Sequence, residues 1–196
     1  MHVIVGLGNP GNEYKGTRHN AGRLAVERIH ATHDFSLWKT EKKPAMQVAM
    51  GSLGGVKVTL VIPDTYMNKS GHAAAHFVKH KKGAGSLIVI HDDLDMPLGS
   101  MKVSFGRSSG GHNGVESIIK ALKTKDFVRI RVGVSPAGVK GVVKKLVGEG
   151  KVLKFLLGKF RPEEMTTLTK VLKRAVEACE VIVRDGHQKA MNEFNQ

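Results

Sequence analysis

Residues 2–22, His2-Val3-Ile4-Val5-Gly6-Leu7-Gly8-Asn9-Pro10-Gly11-Asn12-Glu13-Tyr14-Lys15-Gly16-Thr17-Arg18-His19-Asn20-Ala21-Gly22, decide how this chain is read. A β-branched run enters a glycine-rich loop, as a buried strand feeding a site does. Taken mechanically, Gly6-x-Gly8-x-x-Gly11 satisfies the dinucleotide-binding fingerprint and would make the fold that of a nicotinamide enzyme. Two features argue against it. The last glycine of that fingerprint opens a helix, so that the pyrophosphate meets the helix N-terminus. Here helical periodicity begins only at Asn20, and Pro10-Gly11 marks a turn instead. The acid expected at the end of a second strand is also missing, since Glu27 falls inside the first helix. The loop therefore reads as one wall of a site rather than a phosphate cradle.

The rest of the chain sets the context for that wall. A length of 196 residues suits one domain with one substantial core. Lys and Arg outnumber Asp and Glu by 31 to 17, a net charge of +14. Such a surplus favours a polyanionic partner, nucleic acid first and an anionic membrane surface second. No stretch reaches the length of a membrane span, and strand-like residues at the N-terminus leave no room for a leader, so the expected location is the cytoplasm. Cys179, the single cysteine, allows neither an internal disulfide nor a cysteine zinc site and reads as a buried apolar side chain.

Leu24, Ala25, Arg28 and Ile29 have helical spacing, with Asn20 as the N-cap. Lys39 to Lys43 read as a charged connector. Met46, Val48 and Met50, and then Val56, Val58, Leu60 and Ile62, alternate as two strands joined by Gly54-Gly55. A helix is predicted over Ser70 to Lys82, with His72, His76 and His80 along one face. With no carboxylate near them, those histidines read as a polar stripe rather than as metal ligands. Leu87-Ile88-Val89-Ile90 is apolar throughout, the mark of a strand buried on both faces. It runs into His91-Asp92-Asp93-Leu94-Asp95, at the strand end where open α/β sheets gather ligands. Their position makes these acids informative, with a solvated turn or a divalent-metal site of carboxylates as the other readings.

Met101, Val103 and Phe105 predict another strand, and the loop Gly106 to Gly114 leads into a helix faced by Val115, Ile118, Ile119 and Leu122. The strand Phe127 to Val132 puts Arg129 and Arg131 on one face, where with Lys102 they suit either surface ion pairs or phosphate contacts. Residues 135–161 carry seven basic side chains against Glu149 alone and read as a basic lid; an amphipathic segment on lipid is the other reading. The last helix begins with Pro162, carries Glu163 and Glu164 at its positive end and stops at Gly186. Six strands and four main helices predict a single-domain α/β fold, a mixed twisted sheet with helices on both faces.

Four polar stretches can then be compared together: Gly6 to Gly22, Thr65-Tyr66-Met67-Asn68-Lys69-Ser70-Gly71, His91 to Asp95, and Gly110-Gly111-His112-Asn113-Gly114. In this order and spacing, over nearly the whole chain, they resemble the bacterial-type peptidyl-tRNA hydrolase family. The resemblance implies a metal-free, cofactor-free monomer that hydrolyses the ester between peptide and tRNA and so recycles tRNA. It implies His19 as the general base and Asp92 as the carboxylate that orients it. Imidazole titrates near working pH, and a carboxylate on its second nitrogen fixes the tautomer, so the residue types suit ester hydrolysis by activated water. Asn9, Asn68 and Asn113 resemble the amides that hold the peptide end, with Tyr14, Met67 and His112 lining the same cleft. Lys102 and Arg131 resemble residues that grip a tRNA phosphate, and the basic segment would follow the acceptor stem. Two departures stand out. Ser104 replaces a lysine common in relatives, and Val139 to Phe160 is longer than the usual lid, its lysines 144, 145 and 151 being expected to strengthen tRNA binding. An RNA-binding protein without catalysis is the competing class, and the full set of candidate catalytic residues favours the enzyme.

Overall fold

The computed structural model describes residues 1–136, Val143 and residues 147–196. Lys140, Lys144 and Lys145 of the expected lid lie outside them. The described strands are β1 (His2–Gly6), β2 (Lys39–Lys42), β3 (Ala45–Leu53), β4 (Val56–Pro63), β5 (Leu87–Pro97), β6 (Met101–Phe105) and β7 (Val128–Ser135). They form one sheet in the order β2-β3-β4-β1-β5-β7-β6. The centre is parallel, β4 with β1, β1 with β5 and β5 with β7, while both margins are antiparallel. Leu87, Ile88, Val89 and Ile90 are fully buried in the middle, as a run apolar on both faces requires.

The described helices are α1 (Ala21–Thr32), α2 (Gly71–Phe77), α3 (Asn113–Leu122), α4 (Glu149–Leu156), α5 (Pro162–Asp185) and α6 (His187–Phe194). They cover both faces. Ile4, Ile88, Ile90 and Ile130 pack with α1, α5 and α6, whereas Val3, Val5, Val89 and Phe127 pack with α2 and α3. Cys179 is wholly buried in the first of these layers.

Four expectations need correction. The charged stretch at Lys39 is an edge strand, β2, since a margin tolerates lysines that a central strand would not. Met46, Val48 and Met50 do not form one buried face, because both faces of β3 are covered in different places: Met46 is buried on one side, Ala49 and Leu53 on the other, and Met50 is exposed. Helix α2 stops at Phe77, and His80 lies beyond it. Its extended C-cap, Val78, turns inward to join Ala84 in the core. Finally, α4 and α6 were not anticipated. Gly186, with φ of 92°, lets the chain turn sharply and start α6 directly after α5. The chain end is used as well. Asn195 accepts from the Val103 backbone N–H at 2.7 Å and donates to its carbonyl at 2.9 Å, capping the open margin of β6.

Candidate active site

The glycine loop leaves β1, makes 3-10 turns at Asn12–Tyr14 and Arg18–Asn20, and enters α1 only at Ala21. Gly11 therefore opens no helix of the dinucleotide kind. Gly22 explains how closely α1 meets the sheet. A Cβ there would collide with the Ile90 carbonyl, so only glycine lets the start of α1 rest on β5 at Ile90, where its pairing with β1 ends. That approach brings His19, just before α1, against Asp92, just after Ile90. Asn20 occupies the N-cap position, yet its amide makes no cap hydrogen bond. Instead its Oδ1 accepts from the Asn9 N–H at 2.9 Å and its Nδ2 donates to the Asn9 carbonyl at 3.0 Å, fixing the loop.

His19 Nδ1 lies 3.0 and 3.1 Å from the two oxygens of Asp92. His112 Nε2 lies 2.9 Å from Asp92 Oδ1. Burial of Asp92 favours its neutral form, but electrostatic attraction to the His19 and His112 rings and their hydrogen bonds outweigh it and hold the carboxyl well below the usual range. An ionised carboxylate only accepts, so His19 carries its proton on Nδ1. Nε2, without a hydrogen-bond partner among the described residues, is then the basic atom. Burial lowers the affinity of His19 for a second proton, yet the charge and hydrogen bond of Asp92 more than offset this, and its pKa is raised above 6.5. His112 caps α3, its Nδ1 accepting from the N–H groups of Gly114 at 3.1 Å and Val115 at 3.3 Å. That fixes its neutral tautomer, with Nε2–H aimed at Asp92.

The ligating atoms of His19, Asp92 and His112 fall within 4.8 Å of one another, close enough to invite a metal reading. The donor set argues otherwise. Nε2 of His112 offers a lone pair only if Nδ1 holds the proton, and Nδ1 faces two N–H donors. This arrangement fits a hydrogen-bonded carboxylate better than a cation.

A cleft of about 510 Å³ opens beside the pair. Its polar wall includes His19, Asp92, Asp93, Asp95, His112 and Asn113, and its apolar wall is Val152, Leu153 and Leu156 of α4. The sequence reading missed that second wall, although the spacing of Val152, Phe155 and Leu156 is helical; the glycines and lysines around it masked the signal. Tyr14, Met67 and Asn68 are not among the described lining residues. Tyr14 is half-buried, Asn68 is exposed, and Met67 is buried. Asn9 lines a smaller neighbouring hollow of about 240 Å³ with Asn20 and Arg23. Its Oδ1 accepts from the Met67 N–H at 2.8 Å, leaving Nδ2 as the group available to a substrate. Of the other acids, Asp93 accepts from Arg131 Nε at 2.7 Å and from the Asp95 N–H at 2.9 Å. Lys102 stands directly across from Arg131 on β6 and β7.

Fold and cleft together define a class: a single-sheet α/β enzyme with a histidine–carboxylate pair on a central strand, β5. That strand runs on through the acids to Pro97 instead of ending before them, the carboxylate lying just past the end of its pairing with β1. A family profile described as peptidyl-tRNA hydrolase matches residues 3–196, and the chain belongs to the peptidyl-tRNA hydrolase family. A relative of that name from Syntrophotalea carbinolica is 40% identical, with 100% of this chain and 97% of the relative covered. Another, from Alkaliphilus oremlandii, is 38% identical with 100% of both covered. A crystal structure of the peptidyl-tRNA hydrolase from Acinetobacter baumannii matches the fold with a TM-score of 0.87 at 32% identity, covering 100% of this chain and 94% of that one. The chain is thus a hydrolase.

Proposed function

We propose that this protein cleaves the ester between a peptide and the 3′ end of tRNA with His19 as the general base. The observation that carries this reading is the double contact of His19 Nδ1 with Asp92, which leaves Nε2 as the proton acceptor at the cleft. A water bound there gives its proton to Nε2 as its oxygen attacks the ester carbonyl, and Asp92 stabilises the imidazolium that forms. His19 then passes that proton to the departing ribose oxygen, and the peptide leaves as a carboxylic acid that loses its own proton to solvent. His112 holds Asp92 ionised and in place. Asn113 and the Nδ2 of Asn9 donate to the peptide end, together with Asn68, while Tyr14 and Met67 shape its surroundings.

Outside the cleft, Lys102 and Arg131 take a backbone phosphate of the acceptor stem, and the basic segment near 135–161 extends that contact. Arg131 commits its Nε to Asp93, leaving the rest of its fork for an anion. The protein is read as a monomer acting in the cytoplasm, where a tRNA substrate is met. Among the described residues no helix is long and apolar enough to cross a membrane.

The test is hydrolysis of an N-acylated aminoacyl-tRNA with and without EDTA, by the parent and by His19→Ala. The parent is expected to be indifferent to the chelator. His19→Ala should lose on the order of 10²–10⁴-fold in turnover while still binding tRNA. Unaltered cleavage by the variant would remove His19 as the base.

A further inference from the structure

Arg18, one residue before His19, is the most heavily contacted cation among the described residues, and the chemistry above does not use it. It is buried. Its Nη1 donates to the carbonyls of Gly158 at 3.1 Å and Lys159 at 3.0 Å. Its Nη2 donates to both oxygens of Glu164, at 3.0 and 2.7 Å. The guanidinium carbon also lies 4.5 Å from the centre of the Phe155 ring and 5.4 Å from that of Phe160. The backbone repeats the pattern: the Arg18 N–H donates to Gly158 and the Phe160 N–H to Gly16. Every one of these partners of Arg18 lies between the last turn of α4 and the first turn of α5. The other end of the connection is the 3-10 turn that carries His19.

We infer that Arg18 is a positioning residue, setting the apolar α4 wall of the cleft relative to His19 so that substrate pressed against α4 is felt at the His19–Asp92 pair. The inference rests on the reading of His19 as the base. Stability alone is a poor reason to bury such a pair, since a buried ion pair gains little over well-packed apolar groups. What the guanidinium supplies is a rigid fork. It holds two carbonyls, a carboxylate and two ring faces at once, which a lysine cannot do. The packing is also tight on the far side, where a Cβ at Gly158 would lie 3.1 Å from Nη1. The same Cβ would meet the Phe155 carbonyl at 3.1 Å, so Gly158→Ala is a second way to disturb the junction of the fork with the end of α4 by a few tenths of an ångström without touching its charge.

The experiment compares the parent with Arg18→Lys, Gly158→Ala and the double variant, each assayed well below its own melting temperature. Single-turnover cleavage of N-acylated aminoacyl-tRNA is followed across pH, and binding of uncharged tRNA is measured alongside. Arg18→Lys should lower the cleavage rate roughly 10–100-fold, the scale of a displaced catalytic group, with tRNA affinity close to the parent's. Its acid limb should move to lower pH as the contact of His19 with Asp92 loosens. Gly158→Ala should change both in the same direction by less, and the double variant should be no worse than Arg18→Lys, since both act on one contact. If Arg18→Lys does not fold, Gly158→Ala decides. Parent rates and an unmoved acid limb in the folded variants, with only the melting temperature lowered, would overturn the inference. His19→Ala runs beside them: full activity there defeats the reading of the base itself, whatever Arg18 does.

Discussion

The cleft and the β6–β7 margin are both polar, yet they are built on opposite rules. At the cleft Asp92, His19 and His112 answer one another, although Nε2 of the buried His91 beside them has no partner among the described residues. Asp92, 2% exposed, accepts from two imidazoles, and one of those is itself fixed by the start of α3. At the margin, Arg129 is 3% exposed and its Nε has no partner among the described residues, nor has the buried hydroxyl of Ser104 beside it. Burial, aided by the charges of Arg131 and Arg107, pushes the Arg129 guanidinium down to about 10. A closed network is ready for chemistry because nothing must reorganise when a proton moves. A surface with surplus cations instead gains by meeting an anion from outside. With the margin proposed as the grip on RNA, chemistry and grip are separable, and mutations should divide along the same line.

The largest effect belongs to the closed network. Asp92→Asn keeps the shape but removes the charge that fixes the tautomer, and it should lower single-turnover cleavage about 10²–10⁴-fold with tRNA affinity retained. A comparable loss of affinity would merge the two regions. At the margin the pattern should reverse. Replacing Lys102 and Arg131 by alanine should weaken tRNA binding and reduce its salt dependence by about 1 in log–log slope for each phosphate no longer neutralised, with cleavage at saturation near the parent's. An unchanged slope would take the phosphate grip away from this pair. The smallest effect concerns the scaffold of the margin. Asn195→Ala removes both bonds that cap β6 and should cost about 1–2 kcal/mol, read as a melting temperature lower by several degrees.

How much of this was legible in the sequence follows the same division. The central strands announced themselves through unbroken apolar runs, the acids around Asp92 stood out by following one of those runs, and His19 was singled out only through the family resemblance. Their meeting was not legible, because it depends on Gly22 letting α1 touch the Ile90 carbonyl, a close approach that periodicity does not encode. The charges of β2 hid a strand, since an edge needs no apolar alternation. The lysines and glycines around α4 hid the apolar wall of the cleft. Asn20 shows a further limit. Its type and position matched an N-cap, but a partner eleven residues away claims its amide. Arg18 passed unnoticed for the same reason, as its partners lie about 140 residues further along the chain.

The central claim is that Asp92 makes His19 the base, and the pH dependence of single-turnover cleavage tests it most directly. A base works only when deprotonated, so the rate should rise with pH, with its half-maximal point above 6.5 because Asp92 favours the imidazolium. In Asp92→Asn the residual rate should reach its half-maximum at lower pH than in the parent. A parent midpoint at or below 6.5, or a midpoint that Asp92→Asn leaves in place, would contradict the account.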